Sequence, residues 1–115
     1  MNNTEEFYQK KEGYGNNGMY RVYAYVEGTD ELRMIATYTA DDQVIEAKVF
    51  RNGHLYSRSI INPDSEQGMI LHKTMYSENG RVKAYVEFTD SKVYTTNYDE
   101  DGNVESVVVR EKVTD

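Results

Sequence analysis

The residues able to do chemistry here are few. The chain has two histidines and no cysteine, so thiol nucleophiles, thiolate metal sites and disulfides are excluded. His54 directly follows Asn52-Gly53, a turn pair beside which a solvated polar residue is ordinary. His72 falls in the middle of an alternating run, with Glu87 as its expected cross-strand neighbour. A catalytic imidazole must be aimed at a nucleophile in a cleft, and neither histidine has one nearby in sequence. The two are not spaced to share one face, so they make a poor metal site. Asp99-Glu100-Asp101-Gly102-Asn103, with Glu105 beyond it, crowds oxygen ligands as a calcium loop does. The EF-hand order of alternating ligands, glycine and distant glutamate is absent, so the stretch is expected to be a hairpin turn. No glycine-rich phosphate loop, nucleophile elbow or metalloprotease helix occurs. The chain is therefore expected not to be an enzyme, with no catalytic residue, no metal and no cofactor.

What remains is recognition chemistry. Eleven tyrosines, three phenylalanines and no tryptophan stand in 115 residues. A phenol has an apolar ring and a wet hydroxyl, which suits half-buried strands and contact surfaces. The formal net charge is −7. Phosphate contacts need clustered Lys and Arg, so direct nucleic-acid binding is not expected, whereas a basic protein partner is. No apolar run reaches the roughly 20 residues of a membrane span. The N-terminal residues lack the basic and apolar parts of a secretory signal, and a cytoplasmic protein is expected.

The elements that position these side chains follow from periodicity. Residues 4–12 fit a short helix, with Asn3 as its cap and Glu6 returning the contact, inside an N-terminal segment spanning 1–19. From Tyr20 the period becomes two, and residues 20–115 are expected to form one β domain. Alternating runs at 20–26, 32–38, 44–50, 55–61, 69–76, 81–88, 92–98 and 103–112 are joined by short turns. Asn52-Gly53, Asn79-Gly80 and Asp101-Gly102 are the dipeptides of two-residue hairpin loops. The expected fold is all-β: an antiparallel meander of about eight strands, closed as a small barrel or strongly curved, with the short N-terminal helix.

One pattern occurs three times, as Tyr38-Thr39-Ala40-Asp41-Asp42-Gln43-Val44, Tyr76-Ser77-Glu78-Asn79-Gly80-Arg81-Val82 and Tyr98-Asp99-Glu100-Asp101-Gly102-Asn103-Val104. The last copy, and its 22-residue spacing from Tyr76, resemble the tyrosine–aspartate repeats of large bacterial surface and toxin proteins. A helix followed by an eight-strand meander is similar in outline to calycin barrels, though the glycine–tryptophan signature of lipocalins is missing. No residue role is carried across from either.

If the turns are tight, they fix the register. Thr74 then faces Tyr85, His72 faces Glu87, Tyr85 faces Thr96, and Glu87 faces Tyr94; Tyr76 faces Lys83, Tyr98 faces Glu105, and Tyr94 faces Val109. One face thus gathers His72, Tyr76, Tyr85, Tyr94, Tyr98, Val107 and Val109, and its histidine and tyrosines are the expected partner-binding residues. The opposite face gathers Leu71, Met75, Ala84, Val86, Phe88, Val93 and Val108 as the core. Alternate turns of a meander emerge at one end, so Glu27, Asp30, Glu31, Glu78, Asp99, Glu100 and Asp101 are expected on one acidic rim. The function expected is a non-enzymatic acidic interaction module, of the kind phage or mobile elements use to occlude a partner's nucleic-acid-binding surface. The alternatives are a small-ligand-binding barrel with Tyr76, Tyr85, Tyr94 and Tyr98 turned inward, and a homodimeric structural protein joined through the tyrosine face.

Overall fold

The computed structural model describes residues 6–15, 17–64 and 69–112. Nine strands follow one another: β1 (Phe7–Gly13), β2 (Tyr20–Val26), β3 (Leu32–Tyr38), β4 (Val44–Arg51), β5 (His54–Ile61), β6 (Ile70–Tyr76), β7 (Val82–Phe88), β8 (Lys92–Tyr98) and β9 (Val104–Glu111). Each pairs antiparallel with the next, in the sheet order β1-β2-β3-β4-β5-β6-β7-β8-β9. The two ends do not meet, so the sheet is an open meander and the barrel alternative does not hold.

The helix expected over residues 4–12 is replaced by β1. Residues 4 and 5, and the cap at Asn3, lie outside the described residues. A polar segment of nine residues is too short to hold a helix by itself. Pairing with β2 gives the same residues a full ladder, from Phe7 opposite Val26 to Gly13 opposite Tyr20. Tyr8 stacks on Tyr25 with ring centroids 5.2 Å apart, and its hydroxyl donates to the Thr29 carbonyl at 2.9 Å. Docking, which the helix would also have needed, decides for the strand.

The repeated heptad has one structure. In each copy the first turn residue's amide donates to the carbonyl four residues on: Thr39 to Gln43 at 2.8 Å, Ser77 to Arg81 at 2.9 Å, and Asp99 to Asn103 at 2.9 Å. The residue three positions on donates back, from Asp42, Gly80 and Gly102. Those three sit in the left-handed region, at φ 67°, 86° and 85°. This is a turn closed by a left-handed residue and a bulge, which displaces the register by one. Hence Tyr38 pairs with Val44, Tyr76 with Val82 and Tyr98 with Val104. The pairings Tyr76–Lys83 and Tyr98–Glu105, which two-residue loops would give, are corrected accordingly. Of the three glycine dipeptides, Asn52-Gly53 alone makes the two-residue loop, with φ of 52° and 79°. Side chains brace two of the bulged turns. Asp99 Oδ1 accepts from the amides of Asp101 and Asn103, both at 2.9 Å, and Thr39 Oγ1 accepts from Gln43 at 3.1 Å.

Among the described residues no second layer covers the sheet. Domains ordinarily pack two or three layers around a core; here the buried apolar side chains among the described residues are Ala36, Ile61 and Ala84. Thr37, Ser57 and Ser59 are buried beside them. The accessible surface is 8349 Å², against about 6,400 Å² expected for a compact monomer of this mass. The radius of gyration is 16.2 Å, against about 13 Å for a compact domain of this length. Extents of 40 × 37 × 32 Å show that the layer is far from flat. A twist of about 20° per strand accounts for this, turning β9 by roughly 160° relative to β1.

Candidate functional site

The sheet faces are set by strand pairing. Tyr85 opposes Thr96 and Thr74, Glu87 opposes Tyr94 and His72, and Tyr94 opposes Val109. Residues directly opposite share a face, so His72, Tyr85 and Tyr94 lie together, and strand alternation adds Tyr76 and Tyr98. All five expected partner-binding residues are therefore on one side. The other side carries Met75, Ala84, Val86, Phe88, Val93 and Val108; Leu71 falls at the bulge beside Ile61.

This face extends further than the turn-based register reached. Tyr8, Tyr23 and Tyr25 lie on the same side, carried across β1 and β2 by the pairs Tyr8–Tyr25 and Lys10–Tyr23. The alternation Tyr23-Ala24-Tyr25 was visible in the sequence. Reading residues 4–12 as a helix removed the strand that connects it. Two aromatic groups, on β1–β2 and on β6–β8, thus flank a mixed middle. That middle holds Ile35 and Ile60 beside Glu46, Lys48 and Arg58, with Arg58 Nε donating to Glu46 Oε2 at 2.7 Å. Lys10, Arg21, Lys48, Arg58, Lys83 and Lys92 stand on this side, against Glu12, Glu46, Glu87, Glu105 and Glu111. The face is richer in cations than the chain's net charge of −7 suggests, because most carboxylates sit in the turns.

His72 is placed by packing. Its ring centroid lies 5.5 Å from that of Tyr85, tilted by 37°. Its Nδ1 is buried with no hydrogen-bond partner among the described residues. Among the described residues no serine, threonine or lysine is hydrogen-bonded to that nitrogen. His54 lies elsewhere, in a cleft of about 710 Å³ between the β4–β5 and β6–β7 turns. Arg51, Tyr56, Tyr76, Glu78 and Lys83 line that cleft, and the Arg51 guanidinium covers the Tyr56 ring at 3.9 Å. Among the described residues no three His, Asp or Glu side chains converge in a metal-holding group. No helix there is long and apolar enough to cross a membrane.

The meander does bring the turns holding Glu27, Asp30, Glu31, Glu78, Asp99, Glu100 and Asp101 to one rim. Their spacing divides them. The β2–β3 and β8–β9 turns are six strand intervals apart, about 29 Å at ~4.8 Å each. Charges that far apart are screened from one another in physiological salt, where the Debye length is about 8 Å. Asp99, Glu100 and Asp101 share one turn, with the Glu78 turn two strand intervals or about 10 Å away, while Glu31 is paired with Arg33 at 3.0 Å.

On the opposite face Tyr20 and Tyr38 stack, with centroids 5.0 Å apart at 7°. The Tyr20 hydroxyl donates to Asp42 Oδ1 at 2.6 Å. That hydrogen bond to the carboxylate, with burial and the Asp42 charge adding to it, pushes the phenol up to about 12.

No family model matches the chain, and no curated protein matches it. Among solved structures, the sheet is similar to part of a chain in the GtfA/B complex bound to UDP and GlcNAc, with a TM-score of 0.50 and 9% identity. The match covers 90% of this chain and 24% of that one, so the present chain spans about a quarter of the length of its structural neighbour. At such identity the likeness concerns the fold.

Proposed function

We propose that the chain is a non-enzymatic docking module that binds a larger protein through its tyrosine face. The observation that carries this is the missing second layer. A nine-strand sheet with both sides open leaves about 1,900 Å² more surface exposed than a compact domain of equal mass, comparable to the total area of a standard protein interface. The partner would supply the layer that the chain lacks. Tyr85 and Tyr94 are the central anchors, since phenol rings carry much of the energy of contact surfaces. The aromatic groups suit apolar patches on that partner, and the cations between them suit its carboxylates.

The narrower form of this reading is occlusion of a nucleic-acid-binding surface in the cytoplasm, with Glu78, Asp99, Glu100 and Asp101 standing in for phosphates. Four carboxylates near one another can occupy a basic groove; the carboxylates at Glu27–Glu31 are too distant to join them. A second reading follows from the structural neighbour. There a sheet of this shape is a quarter of a chain in a complex that binds UDP and GlcNAc, so the present sheet would serve as an accessory piece of a sugar-transferring assembly. A pull-down with tagged protein separates the forms. A captured nucleic-acid enzyme released by Asp99→Asn/Asp101→Asn or by salt supports occlusion, and a captured glycosyltransferase supports the accessory role. A partner retained undiminished by Tyr85→Ala and Tyr94→Ala variants that still fold refutes the tyrosine face as the contact.

A further inference from the structure

The two edges of this sheet are treated differently. An edge strand exposes a row of unpaired N–H and C=O groups, and proteins usually blunt it with charge, proline or a bulge. On β1 the edge carries Lys10 and Lys11, whose amines lie 5.3 Å from the Tyr25 ring centroid and 4.2 Å from that of Tyr20. Strand β9 has a bulge at Glu105 and charges at Glu105, Arg110 and Glu111, but the stretch Ser106–Val109 between them carries none. All eight of its residues are exposed. Val104, Val107, Val108 and Val109 are 59%, 58%, 37% and 51% exposed. From Ser106 to Glu111 its register with β8 is regular, from Asn97–Ser106 to Lys92–Glu111, with neither Pro nor Gly. No described strand pairs with its outer side. The valines are β-branched, as a strand inside a sheet would have them.

We propose that β9 templates a tenth strand supplied by an extended segment of a partner protein, and that this segment is basic–apolar–apolar–basic at alternate positions. The sequence of β9 carries the assignment. Val107 and Val109 lie on the Tyr94 side, bracketed by Glu111 and, across the bulge, by Glu105. An incoming strand meets these side chains directly opposite its own. Two β-branched residues therefore belong opposite the valines, and Lys or Arg belongs opposite each glutamate. A second copy of this chain fits worse. The only two-fold antiparallel register that sets all three central valines against valines is centred on Val108. It also sets Glu105 against the partner copy's Glu111 twice over, and it joins two chains of net charge −7. Val107 and Val109 continue the tyrosine face at its edge, so what separates the two proposals is backbone pairing along β9, which docking on the tyrosine side chains does not need.

The experiment uses the full chain and a synthetic peptide, Lys-Thr-Val-Thr-Val-Thr-Lys with blocked ends, followed by amide NMR and hydrogen exchange. The expected result is slowed exchange confined to Val104–Glu111 and their β8 neighbours. Replacing both peptide lysines by glutamate should weaken binding about tenfold. Lys-Thr-Thr-Val-Val-Thr-Lys, which keeps composition and charge but breaks the alternation, should not protect β9, and Tyr85→Ala should leave binding unchanged. Equal protection by the reordered peptide, or protection located on β1 or on β6 and β7 without β9, overturns the proposal. So does protection of β9 without peptide that rises with protein concentration alongside a doubled mass by light scattering, because a second copy is then the occupant.

Discussion

Replacing Gly102 by alanine isolates the device that sets the strand register. Gly102 has φ of 85° and a Cβ built there meets nothing within 4 Å, so the substitution creates no clash. The entire penalty is the left-handed backbone, about 1–2 kcal/mol for a residue with a Cβ. Gly13 provides the matched control. It lies in β1 outside the left-handed region, and its Cβ would also meet nothing within 4 Å. Alanine there should be neutral or slightly stabilising, because glycine weakens a strand. For a domain of this size, 1 kcal/mol moves the midpoint of thermal unfolding by about 4–6 °C. Gly102→Ala should thus lower Tm by roughly 4–12 °C, by far-UV circular dichroism at fixed protein concentration. Gly102→Asn should lose less, since asparagine tolerates this conformation. Indistinguishable midpoints for Gly102→Ala, Gly102→Asn and Gly13→Ala would refute the turn assignment, and with it the shared register of Tyr98 and Val104.

Other consequences follow from the same geometry. Tyr20 should ionise late, near pH 12, in ultraviolet titration, and Asp42→Asn should return it toward the ordinary value near 10. Because the folded value is raised, this contact stabilises the fold fully below pH 10 and its contribution fades between pH 10 and 12; Tyr20→Phe should remove that part of the pH dependence. The few buried apolar residues imply a marginal fold, so a bound partner at 100 times its dissociation constant should raise stability by about 2.7 kcal/mol, readable as a Tm shift. Ala84→Asp should unfold the sheet, since Ala84 is 8% exposed and an unpaired buried charge costs several kcal/mol. The same change at exposed Val107 should be tolerated within about 0.5 kcal/mol in the free chain.

The strands from Tyr20 onward were legible in the sequence because period-two alternation and turn dipeptides are local signals. So was the placing of His72, Tyr85 and Tyr94 on one side, because the Asp90-Ser91 loop is as tight as its residues suggest. The Thr89 amide donates to the Lys92 carbonyl at 2.9 Å across it. The heptad repeat announced a repeated turn, and the structure gives each copy the same bulge. Which turn it was the Asn-Gly and Asp-Gly dipeptides alone do not display, since Asn52-Gly53 closes a two-residue loop while Asn79-Gly80 and Asp101-Gly102 close bulged ones.

Two things lay beyond local signals. Residues 7–13 have no intrinsic reason to be a strand. They become one because β2 offers an open ladder and Tyr25 offers a ring for Tyr8, and both are neighbours only in space. Closure was also undecidable from periodicity, since barrel and open sheet share the same alternation. It depends on accumulated twist and on whether β9 meets β1, and here it does not. The chain's own residues therefore determined strands, faces and the acidic turns. The tertiary arrangement alone decided that both faces and the β9 edge stay open, because that depends on what packs against the sheet.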